Sequence, residues 1–145
     1  MGNDAKDTRA TIIPTLRYED PDAALRLLTE VFGFAVRAAY RDDAGKVMHA
    51  ELEFGNGMIM LGPNTDTPFG RLMRMPQAAG GVTASLYLVV ANPDAHHGRS
   101  VAAGLDIVMP LRDEDYGGRE YSVRDPEGHV WRFGTYDPWA APAAA

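Results

Sequence analysis

His49, Glu51 and Glu53 alternate along VMHAELEF, so on an extended strand all three side chains leave one face. Imidazole beside carboxylates supports two chemistries. One is a mixed nitrogen and oxygen site for zinc, iron or manganese; the other is an acid–base pair of His49 with a glutamate such as Glu51. The plainer reading makes His49 a pocket hydrogen-bonder with Glu51 and Glu53 at the rim. A second polar set lies in REYSVRDPEGHVWRF, where Glu120, Ser122, Arg124 and Arg132 bring a carboxylate, a hydroxyl and two guanidiniums. Ser122 and Arg132 have no adjacent base that would make a nucleophile.

Other polar residues invite plainer readings. His96 and His97 are neighbours, so they point different ways on a helix and are expected at the surface, and His129 beside a turn is expected to meet solvent. There is no G-x-S-x-G elbow, phosphate-cradling Gly-Lys loop or dinucleotide fingerprint. Gly80-Gly81 and Gly117-Gly118 read as strand entries.

The 145 residues carry a formal charge of −6 without a basic run, which disfavours nucleic acid and anionic membranes as partners. No cysteine is present, so thiol catalysis, disulfides and thiolate metal sites are excluded. MGNDAKDTRA lacks the apolar segment of a signal peptide, and no apolar run reaches the roughly 20 residues of a membrane span. A cytoplasmic protein is the expectation.

These groups must be positioned by strands and helices that the chain announces locally. IIPTLRY reads as a strand. Asp20 caps a helix with Pro21 in its first turn, running to a stop at Gly33, and Leu25, Leu28, Val31 and Phe32 share its apolar face. VMHAELEF and MIML follow as strands, joined at Asn56-Gly57 by a two-residue turn. After a long loop come the strand VTASLYLVV, a capped helix in NPDAHHGRSVAAG, the short strand IVMPL and the hairpin YSVRDPEGHVWRF. Pro21-Asp22-Ala23 recurs as Pro93-Asp94-Ala95, and Gly33 as Gly104, suggesting a duplicated βαβββ module. The expected organisation is a disordered arm over 1–10, modules over 11–62 and 82–136, a linker over 63–81 and a tail over 137–145.

Register divides the faces. A three-residue loop, Pro126 to Gly128, pairs Arg124 with Val130, Val123 with Trp131, Ser122 with Arg132 and Tyr121 with Phe133. Tyr121, Val123, Trp131 and Phe133 then share a core face, while Glu120, Ser122, Arg124, Val130 and Arg132 share the other. In the first module the Asn56-Gly57 turn sets Phe54 against Ile59, Leu52 against Leu61 and Glu53 against Met60. In VTASLYLVV the apolar face is Val82, Ala84, Leu86, Leu88 and Val90.

With LRYEDPDAALRLLTEVFGF opening it and YSVRDPEGHVWRF closing it, the chain resembles the vicinal oxygen chelate superfamily over roughly residues 11 to 136. That group includes glyoxalase I, extradiol dioxygenases and bleomycin-resistance proteins. The resemblance implies an α+β fold in which two βαβββ modules form curved mixed sheets, a half-barrel around a cavity with helices outside, and often a homodimer. The ligands of metal-using members fall, by motif, on Ile13, Met60, Ser85 and Arg132. Isoleucine has no lone pair to donate, neutral serine is weak, methionine suits soft ions, and arginine is a permanent cation.

The expectation is therefore a metal-independent protein, without cofactor, that captures a small aromatic or cationic molecule as the antibiotic-sequestering members do. Ile13, Thr15, Met58, Met60 and Tyr87 would supply much of the contact, with His49, Ser85 and Ser122 among them. Glu51, Glu53 and Glu120 would attract positive groups, and Arg124 and Arg132 would orient carboxylate or phenolate groups. The loop from Gly62 to Gly81 reads equally as a cover over the pocket or a plain crossover. The alternative is a glyoxalase-like lyase or isomerase, or a dioxygenase-like enzyme, with a relocated metal or acid–base site around His49 and Glu51.

Overall fold

The computed structural model describes residues 4–140 and 144; the extremes of the expected arm and tail, residues 1–3, 141–143 and 145, lie outside them. The chain forms two units, Met1–Met75 and Pro76–Ala145. The fold is α+β, with one four-stranded mixed sheet in each unit, neither closed into a barrel. Among the described residues, no helix is long and apolar enough to cross a membrane.

Unit one contains β1 (Thr15–Tyr18), α1 (Pro21–Glu30), β2 (Ala35–Arg41), β3 (Val47–Phe54) and β4 (Gly57–Pro63), in the sheet order β1-β4-β3-β2. Asp20 caps α1 by accepting the Ala23 N–H at 3.0 Å, and Gly33 leaves the helix at φ +90°, a region costly for any residue with a Cβ. One carboxylate then ties helix to sheet. Asp22 accepts Arg41 Nη1 at 2.6 Å and the Val47 N–H at 3.1 Å, and the Arg41 bond first, then that of Val47, holds its pKa below the ordinary value. Ala24, Leu25, Leu28 and Phe32 are buried under the sheet residues Ala50, Leu52, Ile59 and Leu61; Val31 is only half-buried.

Two features differ from the sequence reading. β2 is a strand that the burial pattern hides, because as the sheet edge it is exposed on nearly every residue. The β3–β4 turn is Gly55-Asn56, not Asn56-Gly57. Gly55 takes φ +56°, and Phe54 pairs with Gly57, Leu52 with Ile59, Glu53 with Met58 and Glu51 with Met60. The register shift is two residues, so every side chain keeps its expected face.

Unit two repeats the plan with α2 (Pro76–Ala79), β5 (Leu86–Val89), α3 (Pro93–Ala102), β6 (Asp106–Asp113), β7 (Arg119–Arg124) and β8 (Val130–Gly134), in the order β5-β8-β7-β6. Asn92 caps α3 through the Ala95 N–H, as Asp20 caps α1. The β7–β8 register is the one read from the sequence. Asp125 explains the turn: its Oδ1 accepts the N–H groups of Glu127 and His129, its Oδ2 accepts Trp131 Nε1 at 3.1 Å, and Gly128 takes φ +96°. Tyr121, Val123, Trp131 and Phe133 are fully buried.

Three expectations fail here. β5 begins only at Leu86, leaving Val82 and Ala84 exposed outside it; β6 extends past IVMPL to Asp113. His96 is not a surface residue but 3% exposed, with Nδ1 2.5 Å from the Tyr121 hydroxyl, which Ser100 also meets at 2.8 Å. A tyrosine on a core face needs partners for its hydroxyl, and α3 supplies them. His97 and His129 are half-buried.

Candidate functional site

Residues paired across neighbouring strands point the same way, so register builds each concave face in rows. In unit two one row runs Met109, Ser122, Arg132 and Tyr87 across the sheet, and the next runs Arg112, Glu120, Gly134 and Val89. Glu120 is the hub. Its carboxylate is nearly buried, accepts Arg132 through Nη2 at 3.1 Å and Nε at 3.3 Å, and takes the Tyr116 hydroxyl as a further donor. That hydrogen bond, followed by burial, raises the pKa of Tyr116.

The Arg132 guanidinium lies 5.1 Å from the centre of the Tyr87 ring, and the Tyr87 hydroxyl donates to the Tyr136 carbonyl at 2.7 Å. Burial, with the charge of Glu120, pushes Tyr87 up to about 12. Gly134 makes this packing feasible: a Cβ there would stand 2.7 Å from Glu120 Cβ and 2.8 Å from the Tyr87 hydroxyl oxygen. Arg112 faces the same hollow, its Nε bound to Glu114 at 3.0 Å. The hollow is open, with a volume of about 280 Å³, room for a ligand smaller than drug-sized.

In unit one the corresponding row is Ala38, Glu51, Met60 and Thr15. His49 Nε2 lies 3.0 Å from Glu51 Oε2, and His49 joins Thr15, Arg17, Met48, Met60 and Phe69 around a smaller hollow. Phe69, from the loop after β4, sits with its ring centre 5.3 Å from the Arg17 guanidinium carbon. Glu53 is paired with Arg9 at 2.6 Å and Arg37 at 3.6 Å, so a residue of the expected arm is bound to the sheet.

The residues singled out in the sequence are thus distributed unevenly. Tyr87, Glu120, Ser122 and Arg132 come together in unit two; Thr15, His49, Glu51 and Met60 do so in unit one. Met58 sits opposite Glu53, one row away. Ile13 is half-buried ahead of β1, and Ser85 is exposed ahead of β5. Arg124 is exposed at the end of β7 and paired with Asp106 at 2.7 Å. Arg112, Glu114, Tyr116 and Gly134 were missed. The first two lie beyond the end assigned to IVMPL, and Gly134 carried one signal, a glycine directly after the alternating WRF.

A resident dication does not fit these residues. Of the four positions that the resemblance marks, Ile13 has nothing to donate and Arg132 is itself a cation held on Glu120. Among the described residues no three histidine, aspartate or glutamate side chains converge for an ion, and His49 with Glu51 makes only a pair.

Comparison with known proteins bears on the same architecture. The profile of the Glyoxalase/Bleomycin resistance protein/Dioxygenase superfamily matches residues 11–133. TioX from Micromonospora sp. ML1 is 40% identical and aligns with a TM-score of 0.67, over 85% of this chain and 95% of TioX. A variant of the fosfomycin resistance protein FosX from Listeria monocytogenes, complexed with Mn(II) and 1S,2S-dihydroxypropylphosphonic acid, shares the fold at 14% identity and a TM-score of 0.65, over 87% of this chain and 89% of FosX. The protein Rv0887c of Mycobacterium tuberculosis is 28% identical over 130 residues, 90% of this chain and 76% of its own length. The duplicated βαβββ units, the DPEGH turn and a profile match over most of the chain lead to one conclusion: this chain belongs to the Glyoxalase/Bleomycin resistance protein/Dioxygenase superfamily.

Proposed function

We propose that this protein binds a small, partly aromatic molecule without a metal, as a capturing protein rather than a metalloenzyme. The observation that carries the reading is Arg132, a guanidinium at mid-sheet, anchored by the nearly buried Glu120 and lying over Tyr87. A fixed positive charge there repels a dication, while its hydrogen bonds and the ring beside it suit an organic ligand. Sequestration of an antibiotic in the cytoplasm, by a homodimer, is the biological form that the family likeness suggests.

The test is elemental analysis of the purified protein, followed by thermal-shift measurements with small aromatic compounds. The expected result is a trace of metal and stabilisation that EDTA does not alter. Zinc, nickel, manganese or iron retained in a one-to-one ratio overturns the reading. Light scattering that returns a monomer mass removes the homodimer from it.

One observation favours a second reading. His49, which lines the unit-one hollow, is in hydrogen-bond contact with Glu51 at 3.0 Å, the arrangement of a general base and its orienting carboxylate. That reading expects turnover that collapses in His49→Ala; a variant with unchanged turnover and ligand binding takes His49 out of both readings.

A further inference from the structure

We infer that the concave face of unit two takes an anion, namely a small aryl carboxylate held by Arg112 and Arg132. This rests on the metal-free binding reading and adds to it the sign of the ligand.

The net charge of −6 favours a cation at long range, yet the acids that would receive one are already engaged. Glu120 holds Arg132 and Tyr116, and Glu114 holds Arg112. In unit one Glu51 meets His49, and Glu53 meets Arg9 and Arg37. An incoming cation would have to take Glu120 from Arg132, crowding two like charges around one buried carboxylate.

The arginines stand differently. Arg112 is bound to its glutamate through Nε alone, and Arg132 through Nε and Nη2. Both Nη groups of Arg112 and Nη1 of Arg132 therefore have no carboxylate or carbonyl partner among the described residues, although the Tyr116 hydroxyl also meets Arg132. Both side chains line the same hollow and are substantially exposed, at 51% and 40%, while Glu114 and Glu120, which line it too, are at 15% and 9%. The more accessible charges in the hollow are thus the donors.

A planar carboxylate matches the guanidinium fork and need displace no carboxylate from it. Met109, in the same row as Arg132, offers a polarisable sulfur to an attached ring. The glutamates neutralise the field, so binding relies on directed hydrogen bonds, and a minimal ligand should bind at roughly millimolar strength.

Benzoate, benzylamine and benzyl alcohol, titrated into the metal-free full chain by calorimetry or NMR, separate the possibilities. Benzoate is expected to bind saturably and at least about tenfold more tightly than benzylamine. Arg112→Gln and Arg132→Gln should each weaken benzoate by about tenfold or more, and Glu114→Gln should tighten it. Should Arg132→Gln fail to fold, Arg112→Gln carries the test from an exposed position. Benzylamine binding as tightly as benzoate, or Arg112→Gln leaving benzoate affinity unchanged, overturns the inference while metal-free binding stands. If none of the three probes binds, the inference falls, and if stoichiometric metal is also found, the parent reading falls with it.

Discussion

Units one and two share a strand order and a capped ten-residue helix, yet they solve helix–sheet packing in opposite ways. In α1 the fourth and eighth residues are Ala24 and Leu28, buried beneath an apolar sheet. In α3 the same places hold His96 and Ser100, both hydrogen-bonded to Tyr121, with the His96 ring tilted against Phe133 at a centre-to-centre distance of 3.9 Å. One seam is dispersion and hydrophobic burial, while the other adds a satisfied polar network. The concave faces diverge in parallel. Where unit one has Met60 and Thr15, unit two has Arg132 and Tyr87. A duplicated fold keeps its caps and strand order, and leaves the facing side chains free to specialise.

The contrast can be broken first at the cores. Leu28→Ala should cost about 2–5 kcal/mol, the range for deleting a buried leucine side chain. Tyr121→Phe should cost about 1–3 kcal/mol, because His96 and Ser100 lose a shared partner in the dark. Urea unfolding reads both, and a neutral Tyr121→Phe would show that the polar seam adds nothing to stability.

Next come two glycines on the strands β8 and β4. Gly134→Ala should cost about 1–3 kcal/mol and displace Tyr87, since its Cβ meets two side chains inside contact distance. Gly62→Ala presses only on the Met48 carbonyl oxygen at 3.0 Å, and should cost less and leave unit-two binding intact. Equal losses of aromatic-ligand affinity in the two variants would erase the distinction between the faces.

The smallest effect is a matter of pH. Burial pushes Tyr87 and Tyr121 up to about 12, so both should ionise late in an ultraviolet titration. Their folded values lie above the ordinary 10, so the stability linked to them is whole below pH 10 and is lost as pH rises through about 12. Replacing either tyrosine by phenylalanine should remove a late-titrating component. An unchanged titration curve would mean that these two hydroxyls are not distinguished from the exposed ones.

How much of this was readable in advance follows from the range of each interaction. The DPEG turn, the β7–β8 register and the core placement of Trp131 and Phe133 are set by residues a few places apart, and they were legible. So were both helix caps. Arg112 was missed because β6 has register shifts that break its alternation. The pairing of Glu53 with Arg9 was missed because nothing in VMHAELEF reveals a partner 44 residues earlier. His96 was misplaced because two adjacent histidines look polar, while the hydroxyl that buries one of them lies 25 residues away.

Local order in the chain thus suffices for turns, caps, periodicity and the face each strand residue takes, because these depend on backbone geometry within a few residues. Which charges are already neutralised, and which remain open to a ligand, was decided only when distant strands came side by side. Coulomb energy and hydrogen bonding depend on separation in space, and for Arg132, Glu120, Tyr87 and Arg112 that separation exists only in the assembled sheet.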